Sequence, residues 1–171
     1  FFALAMRISL VPVTFFTRAT SEILFDQLSQ QHRKNLPLLP VIMRYFRLGL
    51  PVTLVVFSGI GVLVFLLFGI IFGADWDPAK YYTLYLLPLA GSSFFFGPLA
   101  NVANVYNKQL NFFVRELVYF FVRLVAIGYG VYAEDIGLAI ILFTVSAVAY
   151  NTYNGIWYVA LAKDEDKKLE A

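Results

Sequence analysis

Three long stretches without charge dominate the pattern of hydrophobic and polar positions along this chain. Charged residues are absent from positions 48–74, 81–107 and 136–162, each of which is 27 residues long. An α-helix of about 20 apolar residues crosses the hydrocarbon core of a bilayer. The run 62–68, VLVFLLF, lacks the alternation of apolar and polar residues expected of a membrane β-strand. The pattern therefore predicts three membrane-spanning helices.

Two further apolar segments, 1–24 and 112–133, carry three charges each and are still long enough to cross a bilayer. Together the segments predict an all-α, polytopic transmembrane helix bundle followed by a solvated charged tail over 163–171. Because the chain begins inside an apolar run with Phe1, we expect it to continue upstream. The five predicted helices cover about 1–24, 48–73, 82–106, 112–133 and 137–162.

Composition supports a membrane protein. Of the 171 residues, 60% are apolar and 14% are charged, against about 45–50% and 25% in soluble domains. The chain has no cysteine, which excludes disulfides and cysteine-ligated metals. A net charge of +2 without a basic cluster gives no indication of nucleic-acid binding.

The distribution of basic residues predicts the orientation of the chain. Nine Lys and Arg residues fall on one side of the predicted helices, whereas Lys80 alone falls on the other. Lys and Arg are enriched in cytoplasmic loops. We therefore expect a multi-pass membrane protein with a cytoplasmic C-terminus. The nine residues are Arg33, Lys34, Arg44, Arg47, Lys108, Arg115, Lys163, Lys167 and Lys168.

The third predicted helix contains Pro88 and the pair Gly97-Pro98. Proline removes a backbone donor and clashes with the preceding turn, so we expect a kink there. Such a bend is either static packing or a transporter hinge. Four asparagines near the cytoplasmic helix ends favour hydrogen bonds between helices over contacts to sugar: Asn101, Asn104, Asn151 and Asn154.

Arg123 is the strongest candidate for a functional residue. It lies about ten residues from either end of segment 112–133, roughly 15 Å from each interface at 1.5 Å per residue. An Arg at that depth costs about 2.5–3.5 kcal/mol on insertion scales and usually faces a bundle interior or a watery cavity. Glu116 lies on the same helical face and is a candidate coupling or ion-pairing group. The alternative is an Arg123 paired within the protein.

Arg7 and Arg18 also lie on one helical face, because eleven residues bring an α-helix back to within about 20°. Glu22 follows Arg18 at ion-pair spacing, so this pair is either neutralised or a second coupling group. Arg7 has no carboxylate three or four residues away. Unpaired cations at membrane depth favour an anionic ligand, and phosphate or pyrophosphate fits Arg geometry well.

No catalytic pattern accompanies these cations. The one histidine, His32, lies in a basic polar segment, the carboxylates lack metal-ligand spacing, and no glycine-rich phosphate loop precedes a helix. We therefore expect neither an enzyme nor a cofactor nor a metal site.

The order of several short motifs resembles the C-terminal part of Wzx-type lipid-linked oligosaccharide flippases of the multidrug/oligosaccharidyl-lipid/polysaccharide superfamily. Each motif is weak alone, and the resemblance depends on their order across essentially the whole chain. Asp26 departs from it, since a proline is common there in the family. The motifs are Arg7 followed by Pro12, then Ser21, Phe25, Leu28-Ser29, Gly49-Leu50-Pro51, Phe72-Gly73, Trp76, Ala79, Tyr82, Leu87-Pro88 and Gly97-Pro98-Leu99.

The resemblance implies five of the six helices of the second lobe of a two-lobe flippase. It implies a cationic cavity for undecaprenyl-pyrophosphate-linked oligosaccharide, with Arg7, Arg18 and Arg123 on helices that supply such cations. The partners would be membrane lipid and an upstream first lobe, and transport would proceed by alternating access. Two alternatives stay open: a cation-coupled multidrug exporter of the same superfamily and a non-transporting membrane scaffold. A membrane glycosyltransferase is disfavoured because neither outer loop is long.

Overall fold

Helices joined by short turns make up almost all of the described chain. The structure is a computed structural model that describes residues 1–169, without the side chains at positions 11, 12 and 74. Short 3-10 turns occupy Ala74–Trp76 and Gly97–Ala100. The predicted all-α polytopic bundle is confirmed. The α-helices are α1 (Phe2–Arg33), α2 (Leu39–Phe72), α3 (Asp77–Phe96), α4 (Asn101–Val105), α5 (Gln109–Tyr132) and α6 (Ile136–Leu169).

Within residues 1–169, four helical segments are long and apolar enough to cross a membrane: Phe2–Arg33, Leu39–Phe72, Asp77–Val105 and Ile136–Leu169. The predicted fifth crossing, α5, is 24 residues long but carries three charges and does not belong to this group. The four segments identify a membrane protein with transmembrane helices.

The α2 helix directs most of its apolar surface away from the protein. Only Ile42, Thr53 and Phe68 are buried along its 34 residues. Val55 and Ile70 are 73% and 80% exposed, and most of their apolar neighbours are exposed too. A contiguous apolar surface of this length would be unstable in water, since soluble monomers rarely expose more than a few hundred Å² of it. Lipid is the environment that suits it.

The helices extend further than the charge-free segments predict. α1 ends at Arg33 instead of near residue 24, α2 begins at Leu39 instead of 48, and α6 reaches Leu169 instead of 162. A 32-residue helix is roughly 48 Å long, well beyond the roughly 30 Å hydrocarbon core. Charged residues near the ends therefore continue a helix outside the lipid instead of ending it. Arg44 and Arg47, expected in a loop, lie on α2.

The expected interruption of the third helix occurs at Gly97–Ala100, where a 3-10 turn separates α3 from α4. Proline at position 98 removes a backbone donor at this turn. α3 continues through Pro88 without a break in its α-helical assignment. The Pro12 side chain lies outside the described ones.

α3 is the centre of the bundle, because α1, α2 and α6 all pack against it, and α5 packs on α6. Two apolar clusters lie towards opposite ends. One joins the end of α1 and the start of α2 to α4 and α6, and contains Leu28, Ile42, Val102 and Tyr158 among others. The other joins the start of α1 to α3, α5 and α6, and consists of Ala5, Leu86, Leu89, Tyr119, Ile140 and Ala147.

Asp166 fastens the end of α6 to the start of α2. Its Oδ1 accepts hydrogen bonds from the Leu38 N–H at 2.9 Å and the Tyr106 hydroxyl at 2.9 Å, and its Oδ2 accepts one from the Leu39 N–H at 2.8 Å. The local sequence offers α2 no side-chain cap, so a residue distant in sequence satisfies its first N–H groups. Burial raises the pKa of the Tyr106 hydroxyl, and its hydrogen bond to Asp166 raises it further, which keeps it a neutral donor.

Within the predicted solvated tail, residues 163, 164 and 167–169 are exposed. These residues continue α6, and Asp166 is only 7% exposed. Hydropathy alone cannot distinguish a solvated carboxylate from one that caps a helix. Residues 170 and 171 lie outside the described part of the chain.

Gly130 marks the closest approach between α5 and α6. A Cβ atom placed there would lie 2.5 Å from the Ala139 Cα atom, which belongs to the backbone of α6. Gly128, two residues earlier on α5, has no atom of another element within 4 Å of its notional Cβ. Of these two glycines, only Gly130 is therefore required for packing.

Gly130→Ala is expected to separate α5 from α6 and to destabilise the protein by roughly 1–3 kcal/mol, the usual cost of overpacking. Gly128→Ala is the matched control and is expected to be neutral or stabilising by about 0.5–1 kcal/mol, because alanine favours a helix. Thermal unfolding of the full-length protein in detergent measures both. Equal shifts in the two variants would contradict the close approach.

Asp166→Ala is expected to destabilise the protein by roughly 1–3 kcal/mol, because two N–H groups and a hydroxyl lose their acceptor. Asp166→Asn retains one carbonyl oxygen, so its stability should lie between that of Asp166→Ala and that of the wild type. Asp164→Ala removes an exposed carboxylate two residues earlier and should have little effect. Unfolding midpoints measure the stability of each variant, and proteolysis near residue 38 reports locally on the start of α2. Equal effects of Asp166→Ala and Asp164→Ala would contradict the cap.

Candidate functional site

One face of α5 carries all of its charges and is also its buried face. Arg115, Glu116 and Arg123 are half-buried there and Tyr119 is buried. Positions three, four and seven or eight apart share one face of an α-helix. The opposite face is apolar and exposed, as at Val118, Phe121 and Val125. This polarity is the reverse of that on a helix at a water surface, and it directs the charges towards the protein.

The Arg123 guanidinium lies between two aromatic rings. Its central carbon is 4.3 Å from the centre of the Tyr119 ring and 5.4 Å from that of Phe143. Its Nε atom is buried and has no hydrogen-bond acceptor in the described part of the chain. The rings provide cation–π attraction without neutralising the charge. Arg123 therefore retains both its positive charge and an unused donor.

Arg115 repeats this arrangement two turns away. Its guanidinium carbon is 4.3 Å from a ring centre of Trp157 and 4.9 Å from the ring centre of Tyr153. Its Nη1 atom is buried and lacks an acceptor among residues 1–169. From sequence alone, Arg115 counts among the cytoplasmic basic residues and is not a candidate site residue. Its spacing of eight residues from Arg123, with Tyr119 midway, is the signal that places both on one face.

Glu116 belongs to the same group. Its Oε1 accepts a 2.7 Å hydrogen bond from the Tyr150 hydroxyl of α6. The Tyr150 ring stacks on Tyr119, with ring centres 3.9 Å apart and planes within 4°. Arg123, Tyr119, Tyr150 and Glu116 thus form a continuous chain of contacts from cation to carboxylate. We call this set, together with Arg115, the α5–α6 polar cluster.

The α5–α6 polar cluster has an excess of positive charge, with two guanidinium groups and one carboxylate. Within the described residues, no carboxylate lies within 4.0 Å of either guanidinium. A buried, unsatisfied donor on a cation costs free energy that an anionic ligand would recover. The unpaired guanidinium groups make this cluster a candidate for anion binding.

The α1 candidates are arranged differently. Arg18 Nε lies 3.5 Å from Glu22 Oε1, and the two side chains are 84% and 73% exposed. The expected i, i+4 pair is thus present, and Arg18 is partly neutralised. Arg7 is exposed and has no carboxylate within ion-pair distance among the described side chains. Arg7 and Arg18 lie on α1, which packs mainly on α3, whereas Arg123 lies on α5, which packs on α6.

Two of the asparagines hold helices together, as expected. Asn101 Nδ2 donates to the Ser21 carbonyl at 3.0 Å and to its hydroxyl at 2.9 Å, which joins α4 to α1. Asn151 Nδ2 donates to the Ser92 hydroxyl at 3.0 Å, which joins α6 to α3. Amides that bond across helices are common in membrane bundles.

Searches against family models, curated proteins and solved structures gave no significant match. Among residues 1–169, no three His, Asp or Glu side chains are grouped so as to hold a metal ion.

Tyr150→Phe is expected to destabilise the protein by roughly 1–3 kcal/mol, because the half-buried Glu116 carboxylate loses its donor. Tyr153→Phe is the control, since it retains the ring beside Arg115 and its exposed hydroxyl has little to lose. Adding Glu116→Gln to Tyr150→Phe should cost less than the sum of the single effects. Strict additivity in this double-mutant cycle, measured by thermal unfolding, would show that the hydrogen bond contributes nothing.

Proposed function

We propose that this chain forms part of a transporter that moves a lipid-linked anionic oligosaccharide across the bacterial inner membrane by alternating access. Three arginines support this proposal. Arg123 and Arg115 have unused guanidinium donors inside a transmembrane bundle, and Arg7 is exposed on α1. A pyrophosphate headgroup matches guanidinium geometry and would supply the missing acceptors. The lipid tail of the cargo would stay in the bilayer.

The exposed position of Arg7 supports a cavity beside α1. An arginine facing hydrocarbon costs several kcal/mol, so such a side chain normally faces protein or water. An upstream lobe of the same protein, opposite α1, would supply both the cover and the water. Rocking of the two lobes would then expose the headgroup site on alternate sides of the membrane.

A multidrug exporter driven by H⁺ or Na⁺ is the second candidate, and Glu116 favours it. This half-buried carboxylate lies on a membrane-depth helix and accepts one hydrogen bond from Tyr150. Intramembrane carboxylates commonly serve as proton or cation carriers. A non-transporting scaffold is less consistent with the structure, because it predicts that all three nominated arginines are paired, and among the described residues only Arg18 has a carboxylate partner.

Export of glycan repeat units by cells that depend on the full-length protein tests the flippase proposal. Arg7→Gln is the sharpest variant, because the side chain is exposed and its loss should not disturb packing. We expect at least a tenfold lower export rate for Arg7→Gln and for Arg123→Gln, the approximate effect of losing a hydrogen bond to a charged group. Arg18→Gln should have a smaller effect because Glu22 already neutralises Arg18.

Arg47→Gln, which removes an exposed charge on α2, serves as the control, and immunoblots of membranes verify equal expression. Normal export by both Arg7→Gln and Arg123→Gln would refute the cationic headgroup site. Resistance to cationic dyes that is lost in Glu116→Gln, with glycan export unaffected, would support the exporter instead.

A further inference from the structure

A lateral groove separates the second half of α1 from the first half of α2. It has a volume of about 730 Å³, which lies within the range of roughly 300–1,000 Å³ typical of small-molecule sites. Phe94 of α3 lines it between the two helices. The groove lies away from the α5–α6 polar cluster, and nothing in the proposed transport function uses it.

The groove is polar at one end. Lys34 and Arg44 line that end, together with the amides of Gln27, Gln30 and Gln31. Within the described residues, neither cation has a carboxylate within ion-pair distance. The acid that precedes Gln30 by one turn, Asp26, does not line the groove and accepts a 2.7 Å hydrogen bond from the Gln30 amide. Two uncompensated positive charges therefore meet at this end.

The carbonyls at the end of α1 do not cancel these charges. The N–H groups of Lys34 and Leu36 both bond the Gln31 carbonyl, and that of Asn35 bonds the His32 carbonyl. This is the usual backbone closure of a helix C-terminus. The polar end therefore combines free cations with carbonyls that already have donors.

The groove becomes apolar away from that end. Its walls are formed there by Leu24 on α1, Leu48 and Val52 on α2, and Phe94. The hydroxyls in this part are already used within the protein. Thr20 and Thr53 donate to carbonyls one turn earlier on their own helices, and Tyr45 donates to the Phe95 carbonyl at 2.8 Å. A polar ligand would find no free donor here, whereas an alkyl chain would find continuous apolar surface.

We propose that this groove binds an anionic phospholipid of the leaflet that adjoins the α1–α2 turn. The phosphate would lie between Lys34 and Arg44, and an acyl chain would follow Leu48 and Val52. Charge complementarity selects the headgroup, since basic pockets between transmembrane helices bind anionic lipid headgroups. The apolar wall selects a lipid over a free phosphate, because burial of methylene groups adds affinity that an inorganic anion lacks.

Native mass spectrometry of the full-length protein in detergent tests this proposal. The probes are phosphatidylglycerol and phosphatidylcholine with identical acyl chains, and glycerol phosphate as a headgroup without chains. We expect about tenfold stronger binding of phosphatidylglycerol than of phosphatidylcholine, and no competition by equimolar glycerol phosphate. The variant Lys34→Gln/Arg44→Gln should lose the preference for phosphatidylglycerol.

Arg33→Gln/Arg47→Gln is the matched control, because it removes the same charge from nearby positions on the same two helices that do not line the groove. Val52→Trp should block the acyl-chain part and weaken both lipids, whereas Val55→Trp, which points elsewhere on α2, should not. Equal losses in the two double variants would attribute the preference to general surface charge and overturn the proposal. Effective competition by glycerol phosphate, or unchanged binding in Val52→Trp, would overturn it as well.

Discussion

The cost of placing a charge in hydrocarbon governs the arrangement of this bundle. α5 carries three charges, all of them on its half-buried face, and its exposed surface is mostly valine, leucine and phenylalanine. Inside, the charges are surrounded by aromatic rings, which attract a cation without neutralising it. In a bundle selected for stability alone, apolar side chains would serve at positions 115 and 123 at least as well as arginine. The absence of carboxylate partners for these two guanidinium groups among residues 1–169 is the basis of the anion-binding proposal.

The same constraint distinguishes the two sets of arginines. The Arg123 side chain is shielded from hydrocarbon within the described residues, because α6 covers it. The Arg7 side chain has no such cover, because it is exposed on α1. At membrane depth an arginine normally faces water or further protein. Arg7 and Arg123 therefore differ in their surroundings, although both are predicted from the sequence as cations at membrane depth. Arg18 is a third case, since it forms an exposed ion pair with Glu22 at the helix surface.

Much of the fold is readable from the sequence, because lipid imposes a simple rule on apolar length. The apolar parts of α2, α3 and α6 and the break at Gly97-Pro98 follow from charge-free stretches and proline chemistry. The helix ends do not, because a charged residue such as Arg33 or Lys167 continues a helix once it is outside the hydrocarbon. Among the site residues, the shared face of Arg123 and Glu116 is predictable from helical spacing. Their partners Tyr150 and Phe143 depend on how α6 packs against α5, which a single sequence does not reveal.

The bond between Asp166 and the first peptide groups of α2 also has a consequence for biogenesis. The carboxylate follows Leu39 by 127 residues, so it leaves the ribosome long after α2 has emerged. Until then, the first turn of α2 has no acceptor from the protein and depends on water or lipid headgroups. Completion of the α2 start is thus tied to synthesis of the last turns of α6, and a nascent chain that stalls before Asp166 lacks this closing contact.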